Sequence, residues 1–279
     1  MDSKTSAPRL RIDWRGRPTD IEYRWVNEDS ARDGAGEGAE ASPVMVFLHE
    51  GLGSIAMWRD FPEQLCRALG MRGLVYSRAG YGRSTMRPLD EPWAPDYLHR
   101  QALEVLPALL AGVGVTTPPW LFGHSDGGSI ALIHAAHRAT AGLVVAAPHI
   151  TVEDLSVESI GRTVELYEAG SLKRSLARFH DDPDSPFRGW SDAWRSAEFK
   201  DWSIVEEIRA ITCPLLAMQG EGDEYASIEQ IRGIAREVPQ TRLFEIADCG
   251  HSPHKDQPDA VINAVSEWFK QTAARASSL

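Results

Sequence analysis

Short apolar runs bounded by turn residues alternate with amphipathic stretches along most of the chain. From Pro43 onward the runs cover residues 44–48, 73–76, 120–122, 143–147, 215–218 and 242–246. Each is too short for a buried helix, and most are apolar on successive residues, the pattern of a strand covered on both faces. Between them, residues 96–111 place Leu98, Ala102, Val105, Leu106, Leu109 and Leu110 on one helical face, and Val261, Ile262, Val265, Trp268 and Phe269 do the same near the C-terminus. This alternation predicts the α/β class, a mostly parallel central sheet with helices on both faces. The opening differs: residues 9–14 and 20–26 alternate apolar with polar around Gly16 and Pro18, as an antiparallel hairpin does. Residues 27–42 (NEDSARDGAGEGAEAS) have no periodicity and predict a solvated loop. Residues 151–211 hold helical segments rich in Trp and no convincing strand. The predicted organisation is a core in two parts, 1–150 and 212–279, interrupted by a helical insertion at 151–211.

Composition narrows the class. With 279 residues, 43% hydrophobic and 25% charged, the chain can bury a sizeable core. A net charge of −11 argues against nucleic acid or an anionic membrane surface as partner. The N-terminal MDSKTSAPRL has no apolar signal-like region, and no stretch approaches the ~18 uninterrupted apolar residues of a membrane span. Cys66, Cys213 and Cys249 are scattered, without the spacing of a disulfide framework or zinc site. The expectation is a soluble, reduced, cytoplasmic protein, monomer or homodimer, without a metal site.

The candidate chemistry sits at strand ends. Gly123-His124-Ser125-Asp126-Gly127-Gly128 follows the 120–122 run and precedes a helix-like stretch, residues 129–138. A G-x-S-x-G match is weak alone, but a serine on a sharp strand-to-helix turn needs glycines two residues to either side so that neighbouring segments can pass. A serine hydroxyl also needs a base, and the base needs an orienting carboxylate. Gln219-Gly220-Glu221-Gly222-Asp223 follows the 215–218 run, and Asp248-Cys249-Gly250-His251-Ser252-Pro253-His254 follows the last one. The chain order is Ser, Asp, His. Glu221 and Glu224 stand as alternatives to Asp223, and His254 as an alternative to His251.

Through LHEGLGS (48–54), SRAGYGRS (77–84), GHSDGG (123–128), QGEGD (219–223) and CGHSPH (249–254), the sequence resembles a capped α/β-hydrolase over nearly its whole length. The resemblance implies an α/β-hydrolase fold with an inserted helical cap, a catalytic Ser125, Asp223 and His251, and an oxyanion hole from the amides of Asp126 and Gly51. It favours His251 over His254. It also implies hydrolysis of a small to medium carboxylic ester, thioester or lactone through an acyl-enzyme. Carbon–carbon bond hydrolysis of a vinylogous diketone is the alternative, and a non-catalytic ligand receptor on the same fold is a third reading. The chain departs from the family at His49-Glu50, where relatives commonly read His-Gly. Glu50 therefore either points to solvent or puts a polar group beside the site.

Other candidates weigh less. His49 and His124 match positions that relatives use structurally. His149, Trp190 and Trp194 are candidates for the substrate pocket, and Trp202, Phe179, Phe187 and Phe199 either join them or form the insertion's own core. His134 and His137 share an i, i+3 spacing with no carboxylate pattern, which predicts a helix-surface pair rather than a metal site. Residues 78–84 read as a structural turn, and for Asp126 the amide is expected to matter more than the carboxylate. Arg162, Lys173, Arg174 and Arg178 are read as charges on exposed helix faces.

Overall fold

The computed structural model describes residues 7–28 and 43–276. Of the predicted 27–42 loop, residues 29–42 lie outside the described residues. Eight strands form one sheet in the order β1-β2-β4-β3-β5-β6-β7-β8. They are β1 (Arg9–Trp14), β2 (Arg17–Val26), β3 (Val44–Leu48), β4 (Arg72–Tyr76), β5 (Trp120–His124), β6 (Gly142–Ala146), β7 (Leu215–Gly220) and β8 (Thr241–Ile246). All six apolar runs are strands. The hairpin is present too, but β2 starts at Arg17, earlier than its alternation suggested, and its far half pairs antiparallel with β4. From β4 through β8 every pairing is parallel.

Strand alternation divides the core. Val44, Val46 and Leu48 of β3 point to one face, with Leu74, Leu121, Leu143 and Val145. Met45 and Phe47 point to the other, with Val75, Phe122 and Val144. Both faces are apolar because both are covered. On the second face lie α1 (Phe61–Leu69) and, through Val261, Val265 and Trp268, α10 (Pro258–Ala276). The first face carries α2 (Tyr97–Arg100), α3 (Leu106–Gly112), α4 (Asp126–His137) and α8 (Glu229–Glu237).

The stretch predicted as one helix over 96–111 carries a π turn, Gln101–Val105, between α2 and α3. His134 explains part of that geometry. Its Nδ1–H donates to the Ala102 carbonyl at 2.9 Å, inside the turn where the widened ladder displaces carbonyls from their usual amides. The surface reading of His134 is thereby corrected: α4 crosses the centre of the sheet and is buried on nearly every side, so a polar spacing on it does not mark a solvent face. His137, at the helix end, pairs with Glu207. The described residues hold no cluster of metal-ligating side chains and no helix long and apolar enough to cross a membrane.

Between β6 and β7 the chain leaves the sheet and forms α5 (Asp154–Glu168), α6 (Ser171–Leu176) and α7 (Asp184–Trp194), followed by short 3-10 turns. An isolated Thr151–Ser203 bridge closes its base. Phe187 stacks on Tyr167 at 3.6 Å, and Phe199 on Trp202 at 5.2 Å, so these rings form this segment's own core. Lys173 pairs with Asp184, while Arg162 and Arg178 bond to neighbouring serines.

Candidate active site

The C-terminal ends of β3, β5, β7 and β8 converge on one point, as open parallel sheets require of their ligand sites. β5 ends at His124, and Ser125 turns the chain into α4 with φ 52° and ψ −121°. A non-glycine residue in that region costs about 1–3 kcal/mol, a strain that persists only where surroundings enforce it. Here they do. A β-carbon at Gly127 would run into the Leu48 carbonyl, and one at Gly123 into that of Gly127, so both flanking glycines are required by close passage. The Ser125 amide is held by the Ala146 carbonyl at 2.9 Å, and its own carbonyl accepts from Gly128 and Ser129. α4 therefore starts at Asp126, three residues earlier than the sequence suggested. The Asp126 amide is the first of the helix, and a first-turn amide has no intrahelical acceptor.

Three predicted residues meet in a line. Ser125 Oγ lies 2.9 Å from His251 Nε2, and His251 Nδ1 lies 2.8 and 2.9 Å from the two carboxylate oxygens of Asp223. Asp223 is in turn oriented by the amides of Tyr225 and Ala226 and by the Gln219 side chain. Burial alone would raise its carboxyl above the usual range. The hydrogen bond and charge of His251, with the Tyr225 amide, outweigh burial and hold it below. The rival acids and the rival base are placed elsewhere: Glu221 is exposed, and Glu224 accepts from the backbone amide of His251 rather than its ring. His254 is buried behind the site, against Trp58, Phe61 and His124, with neither ring nitrogen hydrogen-bonded among the described residues. Burial, reinforced by His124 and Lys255, pushes its basicity well down.

The loop after β3 faces Ser125. His49 Nδ1–H donates to the Glu50 carbonyl at 2.7 Å, and its Nε2 accepts the Arg78 amide at 3.0 Å, which fixes the tautomer and ties the loop to the turn after β4. The indole of Trp190, from α7, lies so close over Gly51 that any β-carbon there would overlap it. Glu50 does not point to solvent: its carboxylate turns in toward His124 and Lys255.

Behind the turn at Ser125 the carboxylate of Asp126 anchors a buried network. Arg78 reaches Oδ2 at 3.4 Å, the Tyr97 hydroxyl donates to Oδ2 at 2.8 Å, and Trp194 Nε1 donates to Oδ1 at 3.2 Å. Arg78 and Asp126 have essentially no exposed side chain. This adds to two readings. The carboxylate of Asp126, expected to matter less than the amide, has a structural task of its own and holds three side chains. The segment beginning at Arg78 is a turn, as expected, and it carries a fully buried guanidinium that stacks 4.3 Å over Tyr81 and also holds the Glu50 carbonyl. Burial pushes the Asp126 carboxyl up, with Arg78, Tyr97 and Trp194 opposing it.

His149 and Trp194 stand together, rings 4.8 Å apart, with His149 6.0 Å from the ring of His251. His149 is buried, and its Nδ1 has no partner among the described residues. Burial, with His251 close by, lowers its pKa to about 3, so the ring is neutral near pH 7. The ring of Tyr225 packs 4.9 Å from that of His251. His180 escaped the sequence reading. It lies before α7, accepts the Gly82 amide at 2.9 Å and donates to the Leu52 carbonyl at 3.0 Å, clamping the β3 loop to the helical segment. Its only signal was a histidine between an aromatic residue and two aspartates, which no motif distinguishes.

Comparison with known proteins agrees with this fold. Residues 45–264 match the model of the alpha/beta hydrolase family. A mouse protein named sn-1-specific diacylglycerol lipase ABHD11 is 23% identical over 270 residues, covering 84% of this chain and 83% of its own. Among solved structures, a thermophilic esterase from Thermogutta terrifontis superposes with a TM-score of 0.71 at 20% identity, covering 95% of this chain and 99% of that one. The enol-lactonase from Burkholderia xenovorans LB400 gives 0.68 at 18% identity, covering 93% and 99%. At these identities the structural matches establish the fold.

Proposed function

The chain belongs to the alpha/beta hydrolase family, and from that premise we propose that it is a serine hydrolase of small to medium carboxylic esters, with thioesters and lactones as near relatives of that substrate. The observation that carries the reading is the unbroken line from the strained Ser125 through His251 to Asp223. A fold kept only for binding has no need of a hydroxyl held off the favoured backbone region within hydrogen-bond reach of an oriented imidazole.

In this reading Ser125 Oγ attacks the ester carbonyl as its proton passes to His251 Nε2. Asp223 accepts the Nδ1–H and stabilises the imidazolium. The amides of Asp126 and Gly51 receive the developing oxyanion, each such donor lowering the barrier by about 3–4 kcal/mol. The tetrahedral intermediate then collapses, the alkoxide leaves with the proton from His251, and an acyl group remains on Ser125. Water attacks that acyl group as His251 takes its proton, and the carboxylic acid departs as Ser125 is regenerated. The scheme calls for no cofactor. Trp190, Trp194 and His149 line the opposite side as an aromatic wall, with His149 neutral and able to hydrogen-bond a polar substrate atom. The helical segment at 151–211 acts as the cap. That the mouse relative, the Thermogutta protein and the Burkholderia protein are named for ester or lactone bonds supports this bond class over carbon–carbon cleavage.

The test is hydrolysis of p-nitrophenyl esters of increasing acyl length by the wild type and by Ser125→Ala. The expected result is turnover that falls beyond a limiting chain length in the wild type and is at background in the variant. Equal turnover in the two proteins would remove Ser125 from the reaction, and absence of turnover in the wild type would remove the ester.

A further inference from the structure

Glu50 has no step in the scheme above, yet its side chain is only 16% exposed. Its two carboxylate oxygens point toward two neighbouring segments, the one that follows His251 and the end of β5. Oε1 accepts Lys255 Nζ at 3.1 Å, and Oε2 faces His124 Nδ1 at 3.6 Å. Gly53 makes room for this, because a β-carbon there would collide with Oε2. Burial would raise the Glu50 carboxyl, but Lys255 and then His124 outweigh it, so the group is ionised.

Both contacts lead to the base. His124 Nε2–H donates at 2.7 Å to the backbone carbonyl of His251 itself. Lys255 lies on α9 (Pro253–Asp256), the short helix that follows His251. The other charged and titratable groups around the base come from other segments: Glu224 accepts the His251 amide, Asp256 the Gly250 amide and Asp223 the ring, the rings of Tyr225 and His149 stand 4.9 and 6.0 Å from that of His251, and the ring of His254 packs edge-on against His124 at 4.7 Å. Among these groups Glu50 alone is carried on the β3 loop. Because Nε2 of His124 already carries the donated proton, a neutral His124 turns a bare Nδ1 toward a carboxylate. Nδ1 makes no hydrogen bond among the described residues and burial lowers the ring's pKa, so Glu50 meets His124 by packing, and an N–H on residue 50 would turn that contact into a hydrogen bond.

We propose that Glu50 is a positioning residue: through its ion pair with Lys255, and by packing against His124, it ties the loop that carries His251 to the loop that carries the Gly51 amide. Base and oxyanion donor then keep a fixed separation across the substrate. The inference rests on the reading of Ser125 as nucleophile and His251 as its base. A base displaced by as little as ~1 Å loses up to about a hundredfold in rate, and a loop freed at one of two contacts loses part of that.

The experiment follows phosphonylation of the whole protein by a fluorophosphonate, read by intact mass and resolved into the half-saturating reagent concentration and the limiting rate. Glu50→Ala is expected to lower the limiting rate about tenfold with the half-saturating concentration unchanged. Glu50→Gln, whose carboxamide can donate to His124 Nδ1 and accept from Lys255, is expected to recover most of that loss, and Lys255→Met to fall between. Should Glu50→Ala fail to fold, the pair Glu50→Gln and Lys255→Met carries the test. A wild-type rate in Glu50→Ala or, in its place, in Lys255→Met overturns the proposal, as does a carboxamide variant no faster than the alanine one. A wild-type protein that takes no label at Ser125 fails earlier, at the nucleophile, and is distinguished by that.

Discussion

The two walls around Ser125 are made in different ways. On the sheet side each group assigned to the reaction sits just past a strand: Gly51 after β3, Ser125 after β5, Asp223 after β7 and His251 after β8. On the helical side the contacts come from side chains of α7 and the turn before it, Trp190, Trp194 and His180. Strand ends are fixed by the hydrogen-bond ladder, which suits groups that must keep their separation to within about half an ångström. Helix side chains can be exchanged without disturbing the ladder, which suits the part of a site that selects what enters.

That division predicts a ranked set of effects. The largest belongs to the sheet side: Asp223→Asn should lower kcat on a p-nitrophenyl ester by about 10⁴, because the imidazole loses its orienting acceptor, whereas Glu221→Gln should leave it within a few-fold. A loss of only tenfold for Asp223→Asn would break the comparison. Next comes the junction. Asp126→Asn keeps the amide at position 126 but leaves the Arg78 guanidinium buried without its carboxylate, and urea unfolding should show about 3–5 kcal/mol less stability. Replacing both residues by apolar ones of similar size should recover much of that, and failure to do so would show that the network does more than balance charge.

His149, also at the junction, sets a pH dependence. Its pKa is about 3 in the folded protein against roughly 6.5 in an unfolded chain. The unfolded state therefore binds the extra proton between those values, so stability is full above about pH 6.5, declines as pH falls, and levels off near 3. Between pH 6.5 and 5 this residue contributes a loss of up to about 2 kcal/mol, and His149→Phe should flatten that part of the curve. A variant with an unchanged slope would place the acid sensitivity in other buried histidines. The smallest effect belongs to the helical side. Trp194→Phe keeps an aromatic ring but removes the N–H that reaches Tyr97 and Asp126, at a cost of about 1–2 kcal/mol in stability and a change in kcat below tenfold. A collapse of kcat comparable to that of Asp223→Asn would make α7 part of the catalytic frame.

The same division decides what the sequence revealed. Ser125, Asp223 and His251 were legible because each lies in a short loop whose glycines and flanking apolar run are local in the chain. The buried pair of Arg78 and Asp126 was not, since an arginine in a glycine-rich turn and an aspartate beside Ser125 look solvated until the packing of Tyr97 and Trp194 is known. His134 was misread for a related reason: amphipathic spacing assumes one wet face, and α4 has almost none. His180 and the inward turn of Glu50 depend on contacts between residues far apart in sequence, to Leu52 in one case and Lys255 in the other. Periodicity carries no information about such pairs.

The central claim is that Ser125 is a nucleophile activated by His251. Its most direct test is intact mass of the protein after exposure to a fluorophosphonate, followed by peptide mapping. One adduct, mapped to Ser125 and absent from Ser125→Ala and His251→Ala, is the predicted result. No adduct on the wild type, or an adduct that persists in Ser125→Ala, would contradict it.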